Sequence, residues 1–388
     1  MSEPKLGQTR TGAYHTLDAW RGLAALAVVL YHATNILKAQ NDSLAVNSFY
    51  YILGYGYLGV LCFFVISGYC IAAACASHTK RGLPLSSFVR ARVRRIFPPY
   101  WIALIFAFIL AMMASVAVRV GILSSSKMAD RFALENAHGI PGYFANICLL
   151  HGFVQAPCLL EVSWTLCYEV AFYAICSCAL FIAGRKRGSL DSRPTLVATP
   201  LVLLHILTFV TLLWQLLGIS RLPMPLDLWP AFGLGCLLFD VVYTGGKAQR
   251  YALYAVLILL ACVAVINSSA TVGFGINLLS LRVCALTTFC FTTVLWWLHQ
   301  YDQKLLTFKV LQWLAAMGIF SYSLYLVHFP LLSLINPVLS RFTKKHDLHY
   351  ISLILMTGVC VVVAALYYQT VERRFISARR IAENAATG

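Results

Sequence analysis

The sequence predicts an all-α protein: a polytopic integral membrane bundle of about ten transmembrane helices with both termini in the cytoplasm. Hydrophobic residues occupy 60% of the 388 positions and charged residues only 11%, which leaves too little polar surface for a water-soluble fold. The apolar residues are grouped in segments of membrane-spanning length. The net charge of +16 lies in short basic blocks between these segments, so it indicates membrane topology and no nucleic-acid partner.

Ten apolar segments are candidate membrane helices. In chain order they are 17–38, 55–76, 97–118, 164–183, 197–217, 228–243, 251–268, 275–298, 311–333 and 350–371. The first is expected to be a retained anchor, because no convincing small-residue cleavage site follows it. Segment 228–243 is the weakest candidate, since it is short and contains Pro230, Gly233 and Gly235.

The distribution of Lys and Arg orients these segments in the membrane. With the N-terminus in the cytoplasm, 20 of these residues lie in cytoplasmic connections and 8 in outer ones. Basic connections are retained on the cytoplasmic side, so this asymmetry predicts that both termini are inside. The predicted domains are a cytoplasmic tail at 1–16, a transmembrane domain at 17–371 and a cytoplasmic tail at 372–388.

The 13 cysteines are distributed as small hydrophobic residues rather than as metal ligands. Eleven of them lie within the apolar segments. Cys148 and Cys158, in the outer connection 119–163, are the two that could pair in an oxidising compartment, and the sequence leaves their pairing open. No Cys/His spacing resembles a zinc site, so no metal is expected.

The first segment carries two polar residues that a membrane helix rarely tolerates without a function. Arg21 and His32 are 11 positions apart. That separation is close to three helical turns, so both project from one face about 16 Å apart. The alternative is that Arg21 extends to the membrane surface while His32 makes an ordinary interhelical hydrogen bond.

A basic stretch at 88–100 enters the third segment from the predicted cytoplasmic side. It contains Arg92 and Arg95, and Pro98 follows closely. Guanidinium groups bind phosphate through paired hydrogen bonds, so these arginines suit a phosphorylated cytosolic ligand. The alternative is that the positive-inside rule alone accounts for arginines here.

Counting along the helices sorts the buried polar residues into two layers. The predicted inner layer contains Asp18, Arg21, Arg92, Arg95 and Glu372, and the outer layer contains His32, Glu169, His328 and Arg282. Such a division suits transfer across the membrane from a charged cytosolic donor to an outer acceptor. Depth permits these residues to meet, but spacing alone does not show that their helices are neighbours.

Five motifs then follow one another along the chain. They are LDAWRGLAAL from Leu17 with His32 after it, FFVISGY from Phe63, RVRR from Arg92 with Pro98, WTLCYE from Trp164, and SYSLYLVH from Ser321. In this order and spacing they resemble the acyltransferase-3 family of membrane O-acyltransferases, over residues 15–375. The resemblance implies transfer of an acyl group, usually acetyl from cytosolic acetyl-CoA, to a hydroxyl of an extracytoplasmic or lipid-linked glycan. Relatives often add an SGNH-type domain, whereas this chain is expected to be the stand-alone form.

The resemblance and the residue pattern together suggest a role for each candidate. We expect Arg92 and Arg95 to bind the CoA phosphates and Arg21 to guide the pantetheine arm. We expect His32 to act as general base or as a transient acyl carrier. Glu169 is then an orienting group, and His328 is a helper. The expected partners are membrane lipids and the glycan acceptor, in a bacterial cytoplasmic membrane. A homo-oligomer, the acyl chain length and the acceptor identity stay open.

Two other functions fit the same polar residues. A proton-coupled transporter or flippase also needs buried His, Glu and Arg in a multi-helix bundle. The two halves of the chain show no repeat symmetry, and the arginine stretch favours a phosphorylated donor, so acyl transfer is the preferred prediction. A non-catalytic scaffold for polysaccharide assembly is the third alternative.

Overall fold

The fold is taken from a computed structural model of the chain. It describes residues 14–38, 48–121, 130–133, 135–136, 138–185, 198–267, 269–273, 279–343 and 349–376. The predicted tails, residues 1–16 and 372–388, therefore fall largely outside the described residues.

The described chain is built almost entirely of helices, as predicted. The helices are α1 Leu17–Lys38, α2 Ser48–Leu53, α3 Gly59–Lys80, α4 Leu85–Arg119, α5 Gly139–Ile147, α6 Trp164–Arg185, α7 Ala198–Leu217, α8 Trp229–Thr244, α9 Lys247–Ile266, α10 Leu281–Leu298, α11 Asp302–Leu305, α12 Lys309–Ile319, α13 Ser321–Thr343 and α14 His349–Thr370. Two short antiparallel strands, Thr271–Val272 and Leu279–Ser280, precede α10. The all-α fold class is confirmed.

Helices occur at all ten predicted segments, but not every one meets the criteria for a membrane span. Seven helices in the described residues are long and apolar enough to cross a membrane, or eight if a bent pair counts as one span. α1 is not among them, and it carries Asp18, Arg21 and His32. α8 has 16 residues and is also shorter than a span, in line with the weak prediction for 228–243. A multi-pass membrane protein is thus confirmed, while the count of ten and the side of the termini stay predictions.

The predicted span at 311–333 is corrected to two helices. α12 ends at Ile319, α13 begins at Ser321, and the two are bent by 75° relative to each other. The Ser321 hydroxyl donates to the carbonyl of Gly318 at 2.9 Å across this break. Hydropathy does not reveal the bend, because the residues on both sides of it remain apolar.

Glycines allow the central helices to approach closely. A Cβ on Gly68 of α3 would lie 1.9 Å from the Phe232 carbonyl oxygen, and one on Gly235 of α8 would lie 1.9 Å from the Val65 carbonyl oxygen. A Cβ on Gly318 of α12 would lie 1.8 Å from the Asp18 carbonyl oxygen of α1. Small residues at helix crossings let backbones touch in this way. They bring α1, which carries Arg21 and His32, into direct backbone contact with α12.

The two cysteines of the connection before α6 are free thiols. Cys148 and Cys158 are both partly exposed and not bonded to each other. Burial raises the pKa of the Cys158 thiol to about 11. A thiol that stays protonated reacts slowly with an oxidant. This structure therefore does not favour the disulfide that the sequence left open.

Candidate functional site

A cavity inside the helix bundle is lined by charged residues from three helices. Arg21 of α1, Arg95 of α4 and Glu169 of α6 meet there, in an empty volume of about 640 Å³. Ser67, Thr165, Ser321, Tyr322 and Tyr325 complete its polar lining. We call this space the arginine cavity. Arg21 and Arg95, predicted to lie in one inner layer, are thus brought together by the structure.

Arg21 is held in place by its own helix and by α3. Its guanidinium forms an ion pair with Asp18, one turn earlier on α1. Its Nη2 also donates to the Cys70 sulfur at 3.2 Å. Asp302 fixes the start of α1, because its carboxylate accepts hydrogen bonds from the His15 and Thr16 backbone N–H groups at 2.6 and 2.9 Å. These contacts set the position of Arg21 along the bundle.

Arg95 differs from Arg21 in having no protein partner at bonding distance. Among the described residues it makes no hydrogen bond and no ion pair, although Glu169 and Glu372 lie within electrostatic range. Its side chain is partly exposed and lines the arginine cavity. A guanidinium in this state is available to an anionic ligand.

A smaller cavity of about 330 Å³ adjoins the first on the side of Asp18. Arg21, Arg95, Ser321 and Tyr322 line both spaces, and Glu372 is added in the smaller one. The Glu372 carboxylate accepts hydrogen bonds from the Ser323 hydroxyl at 2.5 Å and the Ser323 N–H at 3.1 Å. The shared residues make the two cavities contiguous at the end of the bundle that the sequence places in the cytoplasm.

His32 lines a second large cavity, with an empty volume of about 940 Å³. Tyr31, Tyr57, Glu161 and Trp164 are among its other lining residues. We call this space the histidine cavity. Among the described residues His32 has no hydrogen-bond partner, so its ring nitrogens are free to contact a ligand there.

The two large cavities touch each other. Val60 of α3 and Tyr325 of α13 line both the arginine cavity and the histidine cavity. The Tyr325 hydroxyl is fixed by the Thr165 hydroxyl at 2.6 Å and by the Val162 carbonyl at 2.8 Å. Val60 and Tyr325 therefore form the wall between the arginines and His32.

His328 lies beside His32, a contact that the similar predicted depths of the two residues permit. Their ring centroids are 5.2 Å apart, and Phe329 contacts His32 at 5.1 Å. His328 is fully buried, and its Nδ1 lies 3.0 Å from the Leu324 carbonyl oxygen. Nδ1 must carry the proton to make that hydrogen bond, which leaves Nε2 with a lone pair and no partner among the described residues.

Glu169 does not lie beside His32, and this corrects the predicted layering. Its carboxylate accepts a hydrogen bond from Tyr173 at 2.5 Å and lies 3.5 Å from the Ser67 hydroxyl. The predicted outer position counts Glu169 inward from an outer membrane surface at Trp164. The turn just before it is already buried, with Val162 only 2% exposed, so α6 begins inside the bundle and carries Glu169 down to the arginines.

Two residues near His32 were missed by the sequence analysis. Glu161 lines the histidine cavity and forms an ion pair with Arg131. The Arg131 guanidinium lies over the Phe329 ring at 5.5 Å, next to His32. Both residues lie outside the apolar segments, where charged residues are common and do not by themselves indicate a functional site. The nearest signal is that Glu161 lies three residues before the WTLCYE motif, which begins at Trp164.

Arg92 and Arg282 lie outside the three cavities described above. The Arg92 guanidinium stacks on Phe88 at 5.2 Å and on Tyr173 at 5.5 Å. Arg282 donates to the Ala264 carbonyl at 3.1 Å. Arg92 therefore supports Tyr173, which donates a hydrogen bond to Glu169. Contact between Arg92 and the donor stays a prediction.

Comparison with known families identifies the family of this chain. The model of the Acyl_transf_3 family, described as an acyltransferase domain, matches residues 14–368. The chain belongs to the acyltransferase-3 family. No curated protein and no solved structure matches it. As an acyltransferase-3 protein it is a membrane acyltransferase, and the matched range includes all six predicted site residues.

Proposed function

We propose that this acyltransferase-3 protein moves an acetyl group from cytosolic acetyl-CoA to a hydroxyl of an extracytoplasmic or lipid-linked glycan. The observation that carries the proposal is the contact between the arginine and histidine cavities at Val60 and Tyr325. This contact joins an anion-binding region to an imidazole inside one bundle. Acyl transfer across a membrane requires the anion-binding region and the imidazole to lie within reach of the thioester of one bound acetyl-CoA.

The donor is held at the arginine cavity. Arg95 has no protein partner, and its guanidinium suits the phosphate groups of CoA. Arg21 lies between the two contiguous cavities and lines the route that the pantetheine arm takes. Asp18 forms the ion pair with Arg21, and Glu169 lies within electrostatic range of both Arg21 and Arg95, so the two cations are compensated.

His32 acts on the acceptor from the other side of the contact. Its neutral imidazole removes the proton of the acceptor hydroxyl while that oxygen attacks the thioester carbonyl carbon. The carbon–sulfur bond then breaks, and the CoA thiolate leaves with the proton that the His32 imidazole took from the acceptor, which returns His32 to its neutral form. His328 holds His32 through ring contact and is a positioning residue in this scheme. A transient acyl group on His32 is the other form of the same reaction.

The proposal places the protein in a bacterial cytoplasmic membrane, with Arg95 towards the cytosol. Membrane lipids surround the exposed apolar helix faces, such as Ile105 and Met113 of α4. The acceptor reaches the histidine cavity from the opposite side. No resident metal or other cofactor is part of the scheme, and acetyl-CoA enters as a substrate.

The test is transfer of radiolabelled acetyl by the purified protein in liposomes. We expect wild-type protein to form an acetyl ester on polysaccharide extracted from the producing cell. His32→Ala should lower the rate at least about 100-fold, the usual contribution of a positioned general base. His78→Gln is the matched control, because His78 lies at the end of α3 and contacts Pro84 and Ser87 instead of the cavity.

Two outcomes would contradict the proposal, and a third would invalidate the assay. Full transfer by His32→Ala would remove the proposed base. Label that crosses the liposome membrane without forming an ester would indicate the transporter alternative. Loss of activity in His78→Gln equal to that in His32→Ala would show that the assay reports damage to the fold instead of chemistry.

A further inference from the structure

We propose that four tyrosines, Tyr31, Tyr51, Tyr55 and Tyr57, form a binding path for an acceptor made of several sugar rings. The inference deepens the proposed function and rests on it, because it names the form of the acceptor. We call these residues the tyrosine row. The row leads from the protein surface to the cavity that contains His32.

The rings of the row contact one another in sequence. The ring centroids are 5.4 Å apart for Tyr51 and Tyr55, 6.4 Å for Tyr55 and Tyr57, and 5.5 Å for Tyr57 and Tyr31. Tyr31 then contacts the His32 ring at 4.9 Å. Tyr51 and Tyr55 are 58% and 45% exposed, while Tyr57 and Tyr31 line the histidine cavity. The row therefore joins an open surface to the proposed base.

The local sequence explains why the rings meet. Tyr55 and Tyr57 alternate with glycine in the segment GYGY at 54–57. A Cβ on Gly56 would lie 2.1 Å from the Ala27 carbonyl oxygen and 2.9 Å from the Cβ of Tyr31. Glycine is thus required for this turn to lie directly on α1. The close approach places Tyr57 against Tyr31.

The chemistry of the row suits sugar rings better than lipid. The face of an aromatic ring carries negative charge density and attracts the weakly positive C–H groups on one face of a sugar ring. The Tyr51 and Tyr55 hydroxyl groups lie 2.8 Å apart, and they also offer hydrogen bonds to sugar hydroxyls. Aromatic residues of a membrane interface need no such order, because each one contacts lipid independently.

A lipid tail is the competing occupant near Tyr55. An apolar groove lined by Leu23, Leu286 and Phe291 passes on the other side of this residue. That groove includes neither Tyr57 nor Tyr31 and does not reach His32. The continuity of the row with the histidine cavity favours sugar rings, and the test below keeps the two occupants apart.

The experiment compares acceptors of different length. Polysaccharide from the producing cell is partly hydrolysed and separated into a one-ring pool and a five-ring pool, and acetyl transfer to each is measured as kcat/KM. We expect wild-type protein to prefer the five-ring pool. Tyr51→Leu and Tyr55→Leu should each lower the ratio of kcat/KM for the five-ring pool to kcat/KM for the one-ring pool about three- to tenfold. This is the effect expected from the loss of one aromatic contact. Tyr51→Phe, which keeps the ring, should retain most of the ratio.

Phe144→Leu provides the matched control. Phe144 is 64% exposed on α5 and is not part of the row, so its substitution should leave the ratio unchanged. Equal kcat/KM for both pools in the wild type would overturn the inference while leaving acetyl transfer established. No ester on either pool would instead refute the proposed function itself. An equal fall for both pools in Tyr51→Leu would show a structural role only and would also overturn the inference.

A further variant addresses the lipid tail. Leu286→Trp fills the apolar groove beside Tyr55 and should leave transfer to the five-ring pool unchanged. If Leu286→Trp lowers transfer to lipid-linked acceptor while Tyr51→Leu leaves the five-ring pool unaffected, the groove binds the acceptor and the tyrosine row does not.

Discussion

Arg92 and Arg95 have the same side chain and lie one helical turn apart on α4, yet they have different surroundings. Arg95 faces the two contiguous cavities without a protein partner. Arg92 stacks on Phe88 and Tyr173 and lines neither cavity. Direct binding of phosphate is therefore expected of Arg95, and support of the cavity wall is expected of Arg92.

This difference gives a kinetic prediction. Arg95→Gln should raise KM for acetyl-CoA about 10- to 100-fold, because it removes charge-assisted hydrogen bonds to the donor. Arg92→Gln should raise the same KM by less than about threefold, since it removes stacking worth about 1 kcal/mol. Initial rates of ester formation at varied acetyl-CoA provide the measurement. The assignment fails if Arg92→Gln has the larger effect.

The two carboxylates near the site lie in different cavities, which separates their expected effects. Glu169→Gln should lower KM for acetyl-CoA, because it removes negative charge beside the guanidinium groups that bind the anionic donor. Glu161→Gln should change KM for the acceptor instead, since Glu161 lines the histidine cavity. Steady-state kinetics with each substrate varied in turn measures both KM values. If Glu169→Gln changes KM for the acceptor and Glu161→Gln changes KM for acetyl-CoA, the two cavities are assigned to the wrong substrates.

Helix crossings determine how the site is assembled. α1 carries Arg21 and His32, and Gly318 lets its backbone touch α12. The Asp302 carboxylate fixes the start of the same helix. The bend between α12 and α13 then brings His328 of α13 beside His32, while Gly318 stays against Asp18.

Glycine substitutions test these crossings. Gly235→Ala and Gly318→Ala should each destabilise the protein by about 1–3 kcal/mol, because the added methyl group collides with backbone of the facing helix. Gly358→Ala is the control. A Cβ at Gly358 meets nothing within 4 Å in the described residues, and alanine favours a helix, so its melting temperature should stay equal or rise slightly. Thermal unfolding in detergent measures all three, and equal melting temperatures would contradict the close packing.

The basic residues are distributed unevenly between the connections on the two predicted sides of the membrane. Lys and Arg are concentrated in alternate connections, and the cavity that contains Arg95 and Glu372 opens at the end that this asymmetry places in the cytosol. Orientation of the chain in the membrane and orientation of the site are therefore linked. A reversed topology would turn the arginines away from the cytosolic donor.

Reporter fusions test the predicted orientation. Green fluorescent protein joined after Gly388 should fluoresce, and alkaline phosphatase at the same position should be inactive, because both report a cytoplasmic end. Alkaline phosphatase joined after Ser220, in the connection predicted to lie outside, should be active. An active phosphatase after Gly388 would overturn the orientation and, with it, the side from which acetyl-CoA is expected to enter.

Much of the fold was accessible from the sequence because its determinants are local. A run of apolar residues predicts a membrane helix wherever it occurs, and the spacing of Arg21 and His32 places them on one face of α1. The similar depths of His32 and His328 permitted their proximity, but the packing of α1 against α13 decided it. The number of spans was less certain, because the polar residues of α1 and the shortness of α8 weaken the same hydropathy signal.

By itself the sequence determined the helical membrane class, the acyltransferase-3 motifs and the side chains able to act in the reaction. Only the tertiary structure decided that Glu169 joins the arginines, that Glu161 takes the place near His32, and that Arg92 stands outside the cavities. The physical reason is that hydropathy and helical spacing define depth and direction for each helix separately. Which helices become neighbours depends on side-chain and backbone packing between distant parts of the chain, and one sequence carries no local signal for it.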